Sequence, residues 1–180
     1  PLFECLTAWR APILCFTMEE VWLSRYGDDA GSVHLRLFPD VPVQWRDEVL
    51  AERWEKVRAV RRVVTGALEV ARRDKIIGAS LEAAPVVYIA DEALLKAIEG
   101  VDMADVSITS GISIIPAAAP AGAFTLDEVP GVGVVFARAE GQRCARSWKV
   151  SVEVGSDPDY PDLSPRDAAA MRELEAAGRL

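Results

Sequence analysis

From about Asp47 to Asp74, apolar residues return every three or four positions, at Leu50, Trp54, Val57, Val60, Val64, Leu68 and Ala71. That spacing predicts one long helix with a single buried stripe, packed in a helical bundle. Upstream, Leu2, Phe3, Leu6, Ala8 and Trp9 keep the same period and predict a helix that stops at Ala11-Pro12, because a residue before proline is pushed out of the α region. Thr17 and Glu20 have the spacing of a capping box, and Met18, Val21, Trp22 and Arg25 carry a second helix to about Gly27. The glycine, serine and prolines between Gly31 and Gln44 predict an irregular connector.

After Lys75 the pattern changes. Ile76-Ile77-Gly78 breaks the helix, and Leu81 to Ala90 is rich in the Val, Ile and Tyr that suit a pleated surface. Asp91 is placed to cap a short helix to about Glu99, Val106 to Ile115 alternates as a half-buried strand should, and Val132 to Ala137 reads as another strand. Between them, Pro116 to Gly122 is a loop of Ala, Pro and Gly alone. Ser164 as N-cap, Pro165 at the first helical position and Asp167 near the positive end predict a final helix. The fold class is therefore α+β: a helical-bundle part over residues 1–76, a small mixed α/β module over 77–140 and a separate tail over 141–180.

At 180 residues and 51% hydrophobic, the chain can bury a real core. Pro1 stands where an initiator Met would, and helical spacing begins at once, so the chain reads as a piece of something longer. No run approaches the roughly 20 apolar residues of a membrane span, which points to a cytoplasmic protein without a membrane partner. Cys5, Cys15 and Cys144 are odd in number and far apart, and suggest no disulfide framework. The net charge of -8 opposes nonspecific adhesion to nucleic acid. Yet Arg46 to Lys75 holds nine Lys/Arg against six Asp/Glu, about +3 set against about -11 for the rest.

Three segments carry a resemblance. Ala11-Pro12-Ile13-Leu14-Cys15-Phe16-Thr17-Met18-Glu19-Glu20-Val21-Trp22 resembles a segment shared by the valyl, leucyl and isoleucyl-tRNA synthetases, with Cys15 where proline is usual. Ala71-Arg72-Arg73-Asp74-Lys75-Ile76-Ile77-Gly78-Ala79-Ser80-Leu81-Glu82-Ala83 looks like the junction between bundle and C-terminal module in the isoleucyl enzymes. Cys144-Ala145-Arg146-Ser147-Trp148, Val154-Gly155-Ser156-Asp157-Pro158 and Leu163-Ser164-Pro165-Arg166-Asp167 resemble the isoleucyl pattern CxRCW, VGSDP, LCxRC. The chain thus resembles the C-terminal region of isoleucyl-tRNA synthetases, the end of the anticodon-binding bundle plus a degenerate zinc finger.

The resemblance implies tRNA(Ile) as partner, together with the catalytic and editing domains of a parent chain that uses ATP and Mg; neither ATP signature is present here. In the family pattern four cysteines hold a structural zinc. Here only Cys144 remains, with Ser147, Ser164 and Asp167 at the matching positions, and neutral hydroxyls are poor zinc ligands. No zinc is expected; a mixed site of Cys144 and Asp167 with water is the alternative. An apolar cluster of Trp148, Val150, Val152, Val154 and Leu163 could replace the metal.

Arg58, Arg62, Arg72 and Arg73 are candidates for backbone phosphates, although cations also line any solvated helix face. Arg143, Arg146, Trp148 and Lys149 combine charge with an aromatic plane, as an unstacked base and its phosphates require. Trp148 could equally be core. No catalytic constellation can be assembled: His34 has no nucleophile to serve, and the prolines among Asp157, Asp159 and Asp162 break a calcium loop. The competing function is a module that braces the bundle without touching tRNA. An apolar stripe led by Trp54 and Val57, bared by removal of upstream helices, could also drive self-association.

Overall fold

The computed structural model describes residues 1–179. They form two compact units that divide between Glu48 and Val49. In the first, α1 (Leu2–Arg10) and α2 (Cys15–Tyr26) close on a core of Ala11, Met18, Trp22 and Val33, with Phe3, Val21 and Leu23 against it. The connector that follows contains 3-10 turns at Asp28–Ala30, Val33–Leu35 and Val43–Trp45. Two side chains of α2 pin it: the Trp22 indole donates to the Gly31 carbonyl at 3.0 Å, and the Glu19 carboxylate accepts from the Ser32 hydroxyl and the Val33 amide, both at 2.9 Å.

The Thr17 capping box does not form, since α2 begins at Cys15 with Leu14 as an N-cap that offers no side-chain bond. The cause lies upstream. The Ile13 and Leu14 amides both turn back to the Arg10 carbonyl, so the chain is already coiled before Thr17 is reached.

In the second unit, α3 (Glu48–Arg73) buries Val57, Val60, Val63, Val64, Ala67, Leu68 and Ala71. Its stripe shares one core with a sheet and with short helices. Strands β1 (Val86–Ile89), β2 (Ser113–Ile115), β3 (Phe124–Thr125) and β4 (Val132–Val135) stand in the order β2-β1-β4-β3. The β1–β2 pair is parallel and the other two pairs are antiparallel. Because side chains alternate across a strand, Val87 and Ile89 of β1 share a face with their partners Val134 and Val132 of β4, and all four are buried with the α3 stripe in one core. At Gly66 an added Cβ would lie 2.7 Å from the Phe124 ring, so the missing side chain is what admits β3 to the helix.

Parallel strands need a crossover, supplied by α4 (Glu92–Ile98) and α5 (Met103–Ser107). Asp91 caps α4 as expected, accepting from the Ala93 and Leu94 amides at 2.7 and 3.1 Å. The strand expected over Val106–Ile115 shrinks to Ser113–Ile115. Asp102 accepts from the Asp105 amide and starts a helix that ends only when Ile108 turns left-handed at φ +57°, so Val106 and Ser107 become helical. Two arginines of α3 close these short helices: Nε of Arg53 donates to the Ala97 carbonyl and Nε of Arg61 to that of Val106, each at 2.8 Å.

The tail holds a hairpin of two-residue strands, β5 (Gln142–Arg143) with β6 (Val150–Ser151), and α6 (Pro165–Ala176), which starts at the expected Ser164 cap. Of the two residues expected to lead an exposed stripe, Val57 is fully buried, whereas Trp54 is exposed, as is Val49. Within the core, Leu68→Ala is expected to cost about 2–5 kcal/mol. Urea unfolding should show this as a lower midpoint at unchanged slope; an unchanged midpoint would mean the stripe is not the packing centre.

Candidate nucleic-acid interface

The sequence nominated two groups of cations, and the fold treats them differently. At 100° per residue, Arg58, Arg62, Arg72 and Arg73 fall in a sector of about 100° on the face of α3 opposite its buried stripe. Each has an acidic companion: Arg58 with Glu55, Arg62 with Glu128 at 3.7 Å, Arg72 with Glu69 and Arg73 with Asp74 at 3.2 Å. All eight side chains are substantially exposed, so each pair is worth only ~0–1 kcal/mol and a phosphate can displace the carboxylate.

The second group sits on the tail, in the tight loop joining β5 to β6. The Cys144 amide donates to the Lys149 carbonyl at 2.8 Å and the Trp148 amide to the Cys144 carbonyl at 2.9 Å. This forces Trp148 into a left-handed conformation, φ +63°, rare for a residue with a side chain. Trp148 is 60% exposed, and the Arg143 guanidinium lies over its ring at 5.8 Å from the centroid. Trp148 is therefore not core. Among the described residues Arg143 has no acidic partner, but Lys149 pairs with Asp105 and Arg146 turns inward to Asp167 at 3.1 Å. A carboxylate-rich sequence gave no sign of which cations would be engaged, because the acids responsible lie 21 and 44 positions away.

Gly141 makes the hairpin possible. At φ +104° its missing Cβ would stand 2.2 Å from the Ser151 backbone, a clash that no side chain could relieve. Beneath the hairpin, the apolar cluster consists of Cys144, Val154, Leu163 and Ala168, joined by Tyr160 and Met171. Of the residues expected there only Val154 and Leu163 take part, since Trp148 and Val152 are exposed and Val150 lies outside the cluster. The Val154–Pro158 loop is tied to α6 by Arg172, which reaches Asp157 with both terminal nitrogens at 2.8 and 2.9 Å and Asp159 at 3.0 Å.

The four positions matching the family's cysteines do come together. Asp167, buried, accepts from the Cys144 thiol at 3.1 Å, the Ser164 hydroxyl at 2.9 Å and Arg146 at 3.1 Å. The Ser147 side chain bonds to it as well, and this contact leads the donors that hold the Asp167 carboxyl well below the usual carboxylate range against the effect of burial. Burial pushes the Cys144 thiol up, but hydrogen bonds from Ser147 and the Ser164 amide outweigh it and leave the thiol below its ordinary value. Of the two acids Asp167 ionises first, so the proton between them stays on sulfur. Asp167 is the residue whose importance the sequence understated, visible there only as an acid where a cysteine was expected.

Residues 2–88 match the anticodon-binding domain of tRNA ligases. The match takes in α3 with its four arginines, stops short of the tail, and gives the class as a tRNA ligase. Over 179 residues, 99% of its length, the chain is 61% identical to the isoleucine–tRNA ligase of Brucella abortus. Identity is 59% over 182 residues with that of Mesorhizobium japonicum and 54% over 179 with that of Bartonella henselae. The chain belongs to the isoleucyl-tRNA synthetase family. It spans 18% of the length of each of these relatives. No helix among the described residues is long and apolar enough to cross a membrane.

Asp167 gives a pH prediction. A carboxyl whose folded value is depressed contributes stability that is present above its unfolded value of about 3.9 and is lost as pH falls through the folded value. Amide protection across residues 142–176 should therefore hold from neutral pH down to about pH 4 and fall only in stronger acid. Loss of protection already near pH 6 would show that the carboxylate does not hold the tail.

Proposed function

We propose that this chain is the part of an isoleucine–tRNA ligase that grips the anticodon stem and loop of tRNA(Ile), so that the acceptor end reaches the catalytic and editing domains of the same polypeptide. Those domains would use ATP, Mg and isoleucine in the cytoplasm; this stretch contributes binding and no catalytic residue. The observation that carries the reading is the exposed Trp148 ring with Arg143 over it, mounted on a turn fixed by backbone bonds. An aromatic face of this kind can stack an unpaired base, and its neighbouring guanidinium can meet the adjoining phosphate. Arg58, Arg62, Arg72 and Arg73 then serve the stem's backbone, with Arg146 and Lys149 lending charge close to the loop.

A second reading has its own support. Arg146 and Lys149 are committed to Asp167 and Asp105, and each named arginine of α3 has a carboxylate neighbour, as a bracing module without RNA contact would also show.

Binding of tRNA(Ile) to the full-length enzyme separates the two. On the RNA-binding reading, Trp148→Ala weakens affinity by roughly 5- to 150-fold, in line with about 1–3 kcal/mol for one stacked base. Replacing Arg58, Arg62, Arg72 and Arg73 with Gln should flatten the slope of log affinity against log salt by about one for each phosphate that is no longer neutralised. If both variants bind as the parent does at every salt concentration, the bracing role stands instead.

A further inference from the structure

We infer that the tail is closed by a metal-free clasp in which the Asp167 carboxylate occupies the central place that a zinc ion would hold between two cysteine pairs, with the polarity of every contact reversed. The clasp depends on the packing of the tail and is independent of whether the chain reads tRNA.

Residues 144 and 147 come from the β5–β6 loop and 164 and 167 from the start of α6, and the four meet, so the geometry that could gather four ligands is intact. The chemistry is not. A metal needs lone pairs directed at a cation, whereas here the Cys144 thiol, the Ser164 hydroxyl and the Arg146 guanidinium aim protons at an anion. Tetrahedral ligands at ordinary zinc bond lengths stand roughly 3.3–3.6 Å from one another for oxygen pairs and roughly 3.5–3.7 Å for mixed oxygen–sulfur pairs. The Ser164–Asp167 and Cys144–Asp167 contacts are 2.9 and 3.1 Å, which are hydrogen-bond lengths that leave no ion between them. Arg146 adds a permanent positive charge 3.1 Å from the carboxylate, which would oppose a dication at the same point. The start of α6 completes the arrangement: Asp167 lies in its first turn, where the helix dipole favours negative charge, and its own amide donates to Ser164 Oγ at 3.3 Å. The donor set therefore does not fit zinc, and the residues present satisfy one another without it.

The effect matches what a metal achieves. One charged centre binds the loop carrying Trp148 to the helix carrying Asp167, through Cys144, Ser147 and Arg146 on one side and Ser164 on the other. Breaking such a charge-assisted set leaves a buried carboxylate or its donors unpaired, so it acts as a unit.

Three measurements on the full chain test the clasp. Protein purified without added metal and dialysed against zinc should hold well under one zinc per chain, and its melting should be the same with and without a strong chelator. Asp167→Asn keeps the shape but removes the charge, and should lower amide protection over residues 142–176 about tenfold or more while leaving α3 protection unchanged. The triple variant S147C/S164C/D167C restores four thiols on the same loops, and is expected to bind one zinc per chain and to lose tail protection on chelation. Stoichiometric zinc in the unaltered chain, a chelator-dependent fall in its melting temperature, or an Asp167→Asn variant with full tail protection would each overturn the proposal. If the triple variant does not fold, metal content and the Asp167→Asn exchange data still decide it.

Discussion

Packing of the α3 valines onto the paired strands β1 and β4 is the constraint from which the second unit follows. Val57, Val60, Val63 and Val64 on the helix and Val87, Ile89, Val132 and Val134 on the strands are at most 1–2% exposed, so helix and sheet each supply the surface that the other needs to bury. Fixing that interface fixes much else. The face of α3 turned away from the sheet must be polar, which is where Arg58, Arg62, Arg72 and Arg73 stand, while its flank meets the ends of α4 and α5 through Arg53 and Arg61. The same helix thus uses its arginines in two ways, some as caps for neighbours and others as outward charge.

Local rules left clear marks in the sequence. The long helix, the Asp91 and Ser164 caps and the loop of Ala, Pro and Gly were readable because each depends on residues within one or two turns of itself. What could not be read depended on distance. The stripe on α3 signals burial but carries no label for its partner, and a sheet built from strands of two to four residues is too short to advertise a period. Val106–Ile115 misled for a related reason: its alternation suits a strand, but Asp102 just upstream had already committed the chain to a helix. At the candidate interface, family-like residues identified the tail, whereas the outward position of Trp148 followed from a left-handed turn that no periodicity encodes.

Electrostatics in this chain is a matter of allocation. With 20 Lys/Arg against 28 Asp/Glu, acids outnumber cations, and most of the nominated arginines have a carboxylate beside them. Exposure decides what that means. Pairs on the solvent face of α3 can be exchanged for a phosphate at small expense, while Arg146 against the buried Asp167 cannot. Arg143 stands apart, because its contact is with the Trp148 ring rather than with an acid.

One hydroxyl joins the tail to the rest of the unit. Ser110 Oγ donates to the Leu81 carbonyl at 2.5 Å and accepts from the Val150 amide at 2.7 Å, so segments ahead of β1, ahead of β2 and at β6 meet at a single oxygen. Lifting the hairpin away strands a backbone amide and disturbs the approach to the sheet in the same motion. The seating of the hairpin against the approaches to the sheet is consequently set at this one oxygen, and its removal would loosen that joint while the core between α3 and the strands stays packed.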